Sequence, residues 1–193
     1  DRHECAGVNL WYNGEGAVIR DNTITGQFDG ISVGDWSDGV YSSWVKDIDI
    51  YDNKIYYHGD DGIACTGTDI NTRIWGNTIY NTLTGVSSAP VRLGPCYIFR
   101  NVIFETDGAG GGLASKYTYK LGHALAQGKT FYFHNTMYNP SGTVNGWYDQ
   151  DAPDTPGFDI TAKNNICIVD NWAMYLTLCS SRCIFDYNSI YTT

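Results

Sequence analysis

One short phrase recurs seven times along the 193 residues, and it constrains the fold more than any other feature. It reads DNTI (21–24), DNKI (52–55), GNTI (76–79), RNVI (100–103), HNTM (134–137), NNIC (164–167) and YNSI (187–190). Its Asn residues, Asn22, Asn53, Asn77, Asn101, Asn135, Asn165 and Asn188, are spaced 31, 24, 24, 34, 30 and 23 apart. Two places after them stand Ile24, Ile55, Ile79, Ile103, Met137, Cys167 and Ile190. Three places before stand Ile19, Ile50, Ile74, Ile98, Tyr132, Ala162 and Phe185. Five places before stand Ala17, Ile48, Thr72, Cys96, Thr130, Ile160 and Cys183. Positions −5 and −3 have the period of 2 that belongs to a strand.

A second phrase follows: DGISVG (29–34), DGIACTG (61–67), TGVSS (84–88), DGAGGGLAS (107–115) and SGTVNG (141–146). VNLWY (8–12) and AMYLTL (173–178) look like the same strand at the two ends. Each repeat is thus a coil of short strands and turns, too small to bury its own apolar face. Stacked coils share a continuous interior. Stacked Asn side chains would satisfy one another and the turn backbone. The longer spacings place loop insertions near 35–46, 107–128 and 147–158. The expectation is an all-β solenoid of about seven coils, one domain over 1–193. Neither end shows a polar cap. That implies a longer chain, of which this is a fragment, or ends that meet other subunits.

The alternating phrases resemble the right-handed parallel β-helix repeats of the pectate-lyase-like superfamily. The resemblance runs from about residue 7 to 191. It implies that fold and, for many members, action on polysaccharides by hydrolysis or elimination. Within the repeat, Gly59-Asp60-Asp61-Gly62-Ile63-Ala64 is similar to the GDDC-I-A phrase of polygalacturonase-type glycosidases. There a neighbouring coil supplies a further Asp, which Asp29 would match. The His-bearing phrase expected one coil later is absent, since that coil reads Leu83-Thr84-Gly85-Val86, and Val91-Arg92-Leu93 only faintly echoes the later Arg-x-Lys phrase. Asp60, Asp61 and Asp29 are therefore the candidate acids and bases, with Arg92 and Lys116 as further catalytic candidates. The competing expectation is that Asp29, Asp61 and Asp107 are turn residues, each followed by a Gly that supplies an unusual dihedral.

If Ile31, Ile63, Val86 and Leu113 point inward, then Ser32, Ala64, Ser87 and Ala114 point outward. That column would be small and uncharged, open to a loop, another chain or a sugar strand. Aromatics supply a second surface. Tyr51, Trp75, Phe99 and Phe133, with Tyr97 and Phe131, fall on the outer side of successive coils, as do Tyr56, Tyr80, Phe104, Tyr138 and Tyr191. Such ladders are covered by the chain's own loops, stack on sugar rings or pack against another subunit. Trp36 and Trp44 would line a groove. Two acidic loops, Asp35 with Asp38 and Asp149 with Asp151, offer the oxygen ligands Ca²⁺ prefers.

Charge narrows the partners. The formal net charge is −9, against nucleic-acid binding, which needs a basic face. It also repels anionic polymers unless a cation bridges. No apolar run approaches the roughly 18 residues of a membrane span. Six cysteines, few charges and many tyrosines suit an extracellular protein, with Cys179–Cys183 the local disulfide candidate. Two functions follow as expectations: recognition or processing of an extracellular polysaccharide, or a non-catalytic fibre or adhesin module that self-associates through ladders and coil ends.

Overall fold

The computed structural model describes residues 5–11, 14–34, 45–67, 69–106, 116–122, 128–140, 142–150, 159–177 and 182–193. They form an all-β, right-handed parallel β-helix of about seven coils. Three seven-stranded parallel sheets make its walls, and a small sheet joins Gly14–Glu15, Val45–Lys46 and Asp69–Ile70. The first wall runs Ala6–Leu10, Asp29–Val33, Asp61–Cys65, Thr84–Ser88, Lys116–Gly122, Val144–Gln150 and Met174–Tyr175. The second holds strands just before each repeated Asn, from Val18–Arg20 to Ile184–Asp186. The third holds strands just after it, from Thr23–Thr25 to Ser189–Thr192.

Registers follow the repeat. Ile19, Ile50, Ile74, Ile98, Tyr132, Ala162 and Phe185 pair in one inward column of the second wall. Ile24, Ile55, Ile79, Ile103, Met137, Cys167 and Ile190 pair in one column of the third. Most of these side chains are buried in a single apolar cluster. Where the bulky Tyr132 enters, its register partner is the small Ala162, which keeps the interior filled without overpacking.

The corner between second and third walls explains the repeated Asn. The residue before each one, Asp21, Asp52, Gly76, Arg100, His134, Asn164 or Tyr187, has φ between 54° and 66°. This left-handed residue turns the chain from one wall to the next. The Asn then holds the corner. The Asn77 backbone N–H and Nδ2 both donate to Asn101 Oδ1 at 3.0 Å, while its Nδ2 also donates to the Ile50 carbonyl. The same pattern runs from Asn22 to Asn188.

Gly in the DG phrase has another role than the expected dihedral. Gly30, Gly62 and Gly85 are absent from the positive-φ glycines. A Cβ on Gly62 would sit 2.7 Å from the Gly85 carbonyl oxygen of the next coil, and one on Gly85 equally close to the Thr118 carbonyl. Close approach between coils, not dihedral freedom, demands glycine here.

One expected strand is displaced. Val86 pairs with Tyr119, not with Leu113, and residues 107–115 lie outside the described part. The wall strand is Lys116–Gly122, inside a segment expected as loop. The outward column therefore reads Asn9, Ser32, Ala64, Ser87, Lys120, Tyr148 and Tyr175. It is not uniformly small and uncharged, because Lys120 takes the place given to Ala114.

Cys183 is disulfide-bonded, and its expected partner Cys179 lies outside the described residues. Cys65 and Cys96 are buried, with sulfurs 3.2 Å apart.

Candidate functional site

The Asp60–Asp61 turn is built by its neighbours. His58 is fully buried, with Nδ1 3.2 Å from the Gln27 carbonyl and Nε2 3.2 Å from that of Ile24. Burial pushes its pKa down, partly offset by these carbonyls. The ring fixes the turn to the preceding coil. Asp60 N–H donates to the Phe28 carbonyl, and the Asp60 carbonyl accepts from Leu83 and Thr84. Asp61 and Asp29 begin wall strands one coil apart, so stacking brings their side chains together. The Asp61 N–H donates to Asp29 Oδ1 at 3.1 Å.

Three carboxylates converge as a result. One oxygen from each of Asp29, Asp60 and Asp61 lies within 4.8 Å of the others. Asp29 and Asp61 are buried and Asp60 is half-buried. Lys120 reaches them from two coils away. It rises from the outward column past the small Ser87 and places Nζ 2.9 Å from Asp61 and 3.7 Å from Asp60. A bulkier residue at Ser87 would obstruct that path.

Electrostatics separates these groups. Burial, reinforced by the Asp61 charge, raises Asp29 from an ordinary 3.8 to about 7. Burial and Asp61 likewise raise Asp60 to about 6, against the pull of Lys120. Burial opposes the charge on Lys120, but Asp61 and Asp60 outweigh it and hold the ammonium well above its ordinary value. Near pH 5 the cluster thus holds Asp29 and Asp60 largely protonated beside the Lys120 ammonium. Environments that push titratable neighbours apart are those of acid–base chemistry. The ammonium pairs with two of the three carboxylates and offsets part of their charge.

The other candidates lie elsewhere. Arg92 is buried beside Val91, which bridges to Gly67, and its N–H donates to the Gly67 carbonyl. Lys116 heads the strand that bears Lys120, in register with Val144. Asp149 pairs through its backbone with Leu121. Trp36, Trp44, Asp35, Asp38 and Asp151 fall outside the described residues. Lys120 itself escapes sequence reasoning. The usable signal was the alternation Lys116-Tyr117-Thr118-Tyr119-Lys120-Leu121, obscured by the glycine-rich DG phrase before it.

The expected aromatic ladders form on the second wall, away from the carboxylates. Tyr51, Trp75 and Phe99 stack at 4.4 and 5.5 Å with interplanar angles of 9° and 7°, and Tyr97 stacks on Phe131 at 5.0 Å. Phe133 tilts against Phe131 at 41°. On the third wall Tyr56, Tyr80 and Phe104 stack at 4.9 Å. The spacing is that of the coils. Inner rings therefore spend both faces on each other and show solvent only their edges, which is poor geometry for stacking on a sugar.

No protein-family model matches the chain, and neither a curated protein nor a solved structure matches it significantly.

Proposed function

We propose that this protein is an extracellular polysaccharide-processing β-helix that cleaves glycosidic bonds by hydrolysis, in keeping with its resemblance to pectate-lyase-like and polygalacturonase-type proteins. The observation that carries this is the convergence of Asp29, Asp60 and Asp61 within 4.8 Å under the hand of Lys120. Glycoside hydrolysis needs one carboxyl able to give a proton and one carboxylate able to activate water or attack. Asp60, raised to about 6 and the most exposed of the three, fits the proton donor. Asp61, fixed by Lys120, fits the base or nucleophile. Asp29 accepts the Asp61 N–H and helps orient it. Lys120 could serve elimination only as a neutral amine, and the carboxylates keep it protonated. The disulfide at Cys183 supports an oxidising, extracellular setting.

A panel of plant, algal and bacterial polysaccharides tests this. New reducing ends that disappear in Asp60→Asn and Asp61→Asn support it, and unsaturated products would point to elimination instead. The half-exposed ladders favour a second reading, a non-catalytic fibre or adhesin module. Silence across the panel together with concentration-dependent assembly would select it.

A further inference from the structure

The second wall, unlike the first, leaves an outward face open. On the first wall the outward Ser32, Ala64 and Ser87 are all buried. On the second, Arg20 heads a column that runs in register through Tyr51, Trp75, Phe99 and Phe133 to Lys163 and Asp186, and no member of it is buried. Charges of both signs thus flank its rings. The neighbouring column holds Val18, Arg73, Tyr97, Phe131 and Ile184. Val18 and Ile184 are 54% and 45% exposed, large apolar side chains facing water. An apolar centre with a charged rim is the anatomy of a protein interface.

The order of the residues says what fits it. Turning a second copy over about an axis along Cys96–Phe99 makes each column face itself in reverse. Arg20 then meets Asp186, Tyr51 meets Lys163, Trp75 meets Phe133, and Phe99 meets its own copy. In the neighbouring column Val18 meets Ile184, Arg73 meets Phe131, and Tyr97 meets itself. Asp49, already paired with Arg73, meets Thr161. The other pairs are opposite charges, cations on rings, or apolar on apolar. Other placements fit worse. Moving the axis half a strand spacing toward the first coil sets Arg20 against Lys163, two like charges. An axis along the solenoid lays one column on the other and buries Arg20 against Val18 and Asp186 against Ile184. The axis is fixed by these pairs and not by where the wall stops.

We propose that this face is the interface of a dimer with a second copy of the chain, related by a two-fold axis through Tyr97 and Phe99. One patch serves both partners, so assembly closes at two and builds no fibre. The face spans about 29 Å across the stacked strands by about 13 Å along them, or about 400 Å² on each partner. That is the small end of specific interfaces, so the dimer forms in the micromolar range or more weakly. It does not rest on the carboxylate cluster, which belongs to the first wall.

Sedimentation velocity of the full chain from about 1 to 300 μM tests it. The expected result is a concentration-dependent step from monomer to dimer and nothing larger. Arg20→Asp alone, or Asp186→Arg alone, sets like charges face to face and should weaken the dimer at least about tenfold. Both changes together restore the attraction and should recover most of the lost affinity. Phe99→Cys places two thiols on the axis, so oxidised glutathione should link two chains. Val102→Cys, exposed on the third wall, should link no more than the parent. Melting curves check each fold, and if Phe99→Cys unfolds, the surface charge variants still decide. A monomer at every concentration overturns the proposal. So does growth past the dimer, equal linking by Phe99→Cys and Val102→Cys, or a double charge variant no better than the single ones. Cleavage is read separately. A dimer that cuts no polymer defeats hydrolysis and leaves the interface standing, and a monomer that cuts one does the reverse.

Discussion

Replacing Asp29 by Asn should make the protein more stable at neutral pH, although it alters a buried polar residue. Asp29 is 8% exposed, and its Oδ1 accepts the Asp61 N–H at 3.1 Å. An amide oxygen can keep that bond while removing the charge. In the folded chain, burial and Asp61 raise this carboxyl from 3.8 to about 7. Below 3.8 both folded and unfolded chains hold the proton. Between 3.8 and about 7 the unfolded chain loses it first, so stability falls as pH rises through that window, and the loss is complete above it. At 1.36 kcal/mol per pH unit the interval is worth at most about 4 kcal/mol. Asp29→Asn removes this penalty. It should gain about 2–4 kcal/mol over the unaltered protein at pH 8 and nothing at pH 3.5. At about 2–4 °C per kcal/mol, its Tm at pH 8 should rise by about 5–15 °C. Urea unfolding of both proteins at pH 3.5, 5, 6.5 and 8 measures the difference, since all other titrating groups are shared. An Asn variant less stable than the parent at pH 8, or a difference that does not vary with pH, would refute the reasoning. A gain in stability with a loss of activity would mark a site that holds its charges for function.

The remaining expectations concern the site and the corner ladder. Polymer cleavage should fall as pH rises through about 6 to 7, because Asp60 and Asp29 lose their protons there; a pH–rate profile reads it. Lys120→Met removes the cation that lowers both carboxyls, so the alkaline limb should move up while cleavage drops at least tenfold; kcat and that profile are the readouts. Asn101→Ala breaks two donated and two accepted hydrogen bonds in the interior and should cost about 3–5 kcal/mol, whereas Asn22→Ala, exposed at the first corner, should cost about 1 kcal/mol or less; chemical denaturation compares them. A thiol reagent should label Cys5 in the native protein, and Cys65, Cys96 and Cys167 only after unfolding, because those three are buried.

The solenoid was legible because its period is carried by residues that cannot be exchanged freely. Each inner Asn bonds the corners on either side of it, and over the first four repeats the inward Ile residues of the second and third walls stack on one another. The carboxylate cluster was legible in part: Asp60 and Asp61 are adjacent, and Asp29 fell into line once the coils were stacked. Lys120 was hidden. The segment between Asn101 and Asn135 is ten residues longer than the two repeats before it, and its Asp107-Gly108 pair imitates the start of a wall strand. The true strand begins at Lys116, and no local pattern fixes the register of a strand that follows an insertion. Ring orientation was hidden for another reason. Spacing along the chain places aromatics in a column, but the coil rise decides that they stack face to face and turn their edges to solvent.

The measurement that bears most directly on the central claim is cleavage of a polysaccharide by the purified protein at pH 5, followed by new reducing ends, alongside Asp60→Asn. Cleavage by the unaltered protein and none by the variant, with the variant's melting curve intact, is the predicted result. Cleavage that persists in Asp60→Asn would place the chemistry away from the Asp29–Asp60–Asp61 cluster, and no cleavage of any polymer would leave that cluster as a buried charge network that joins the coils.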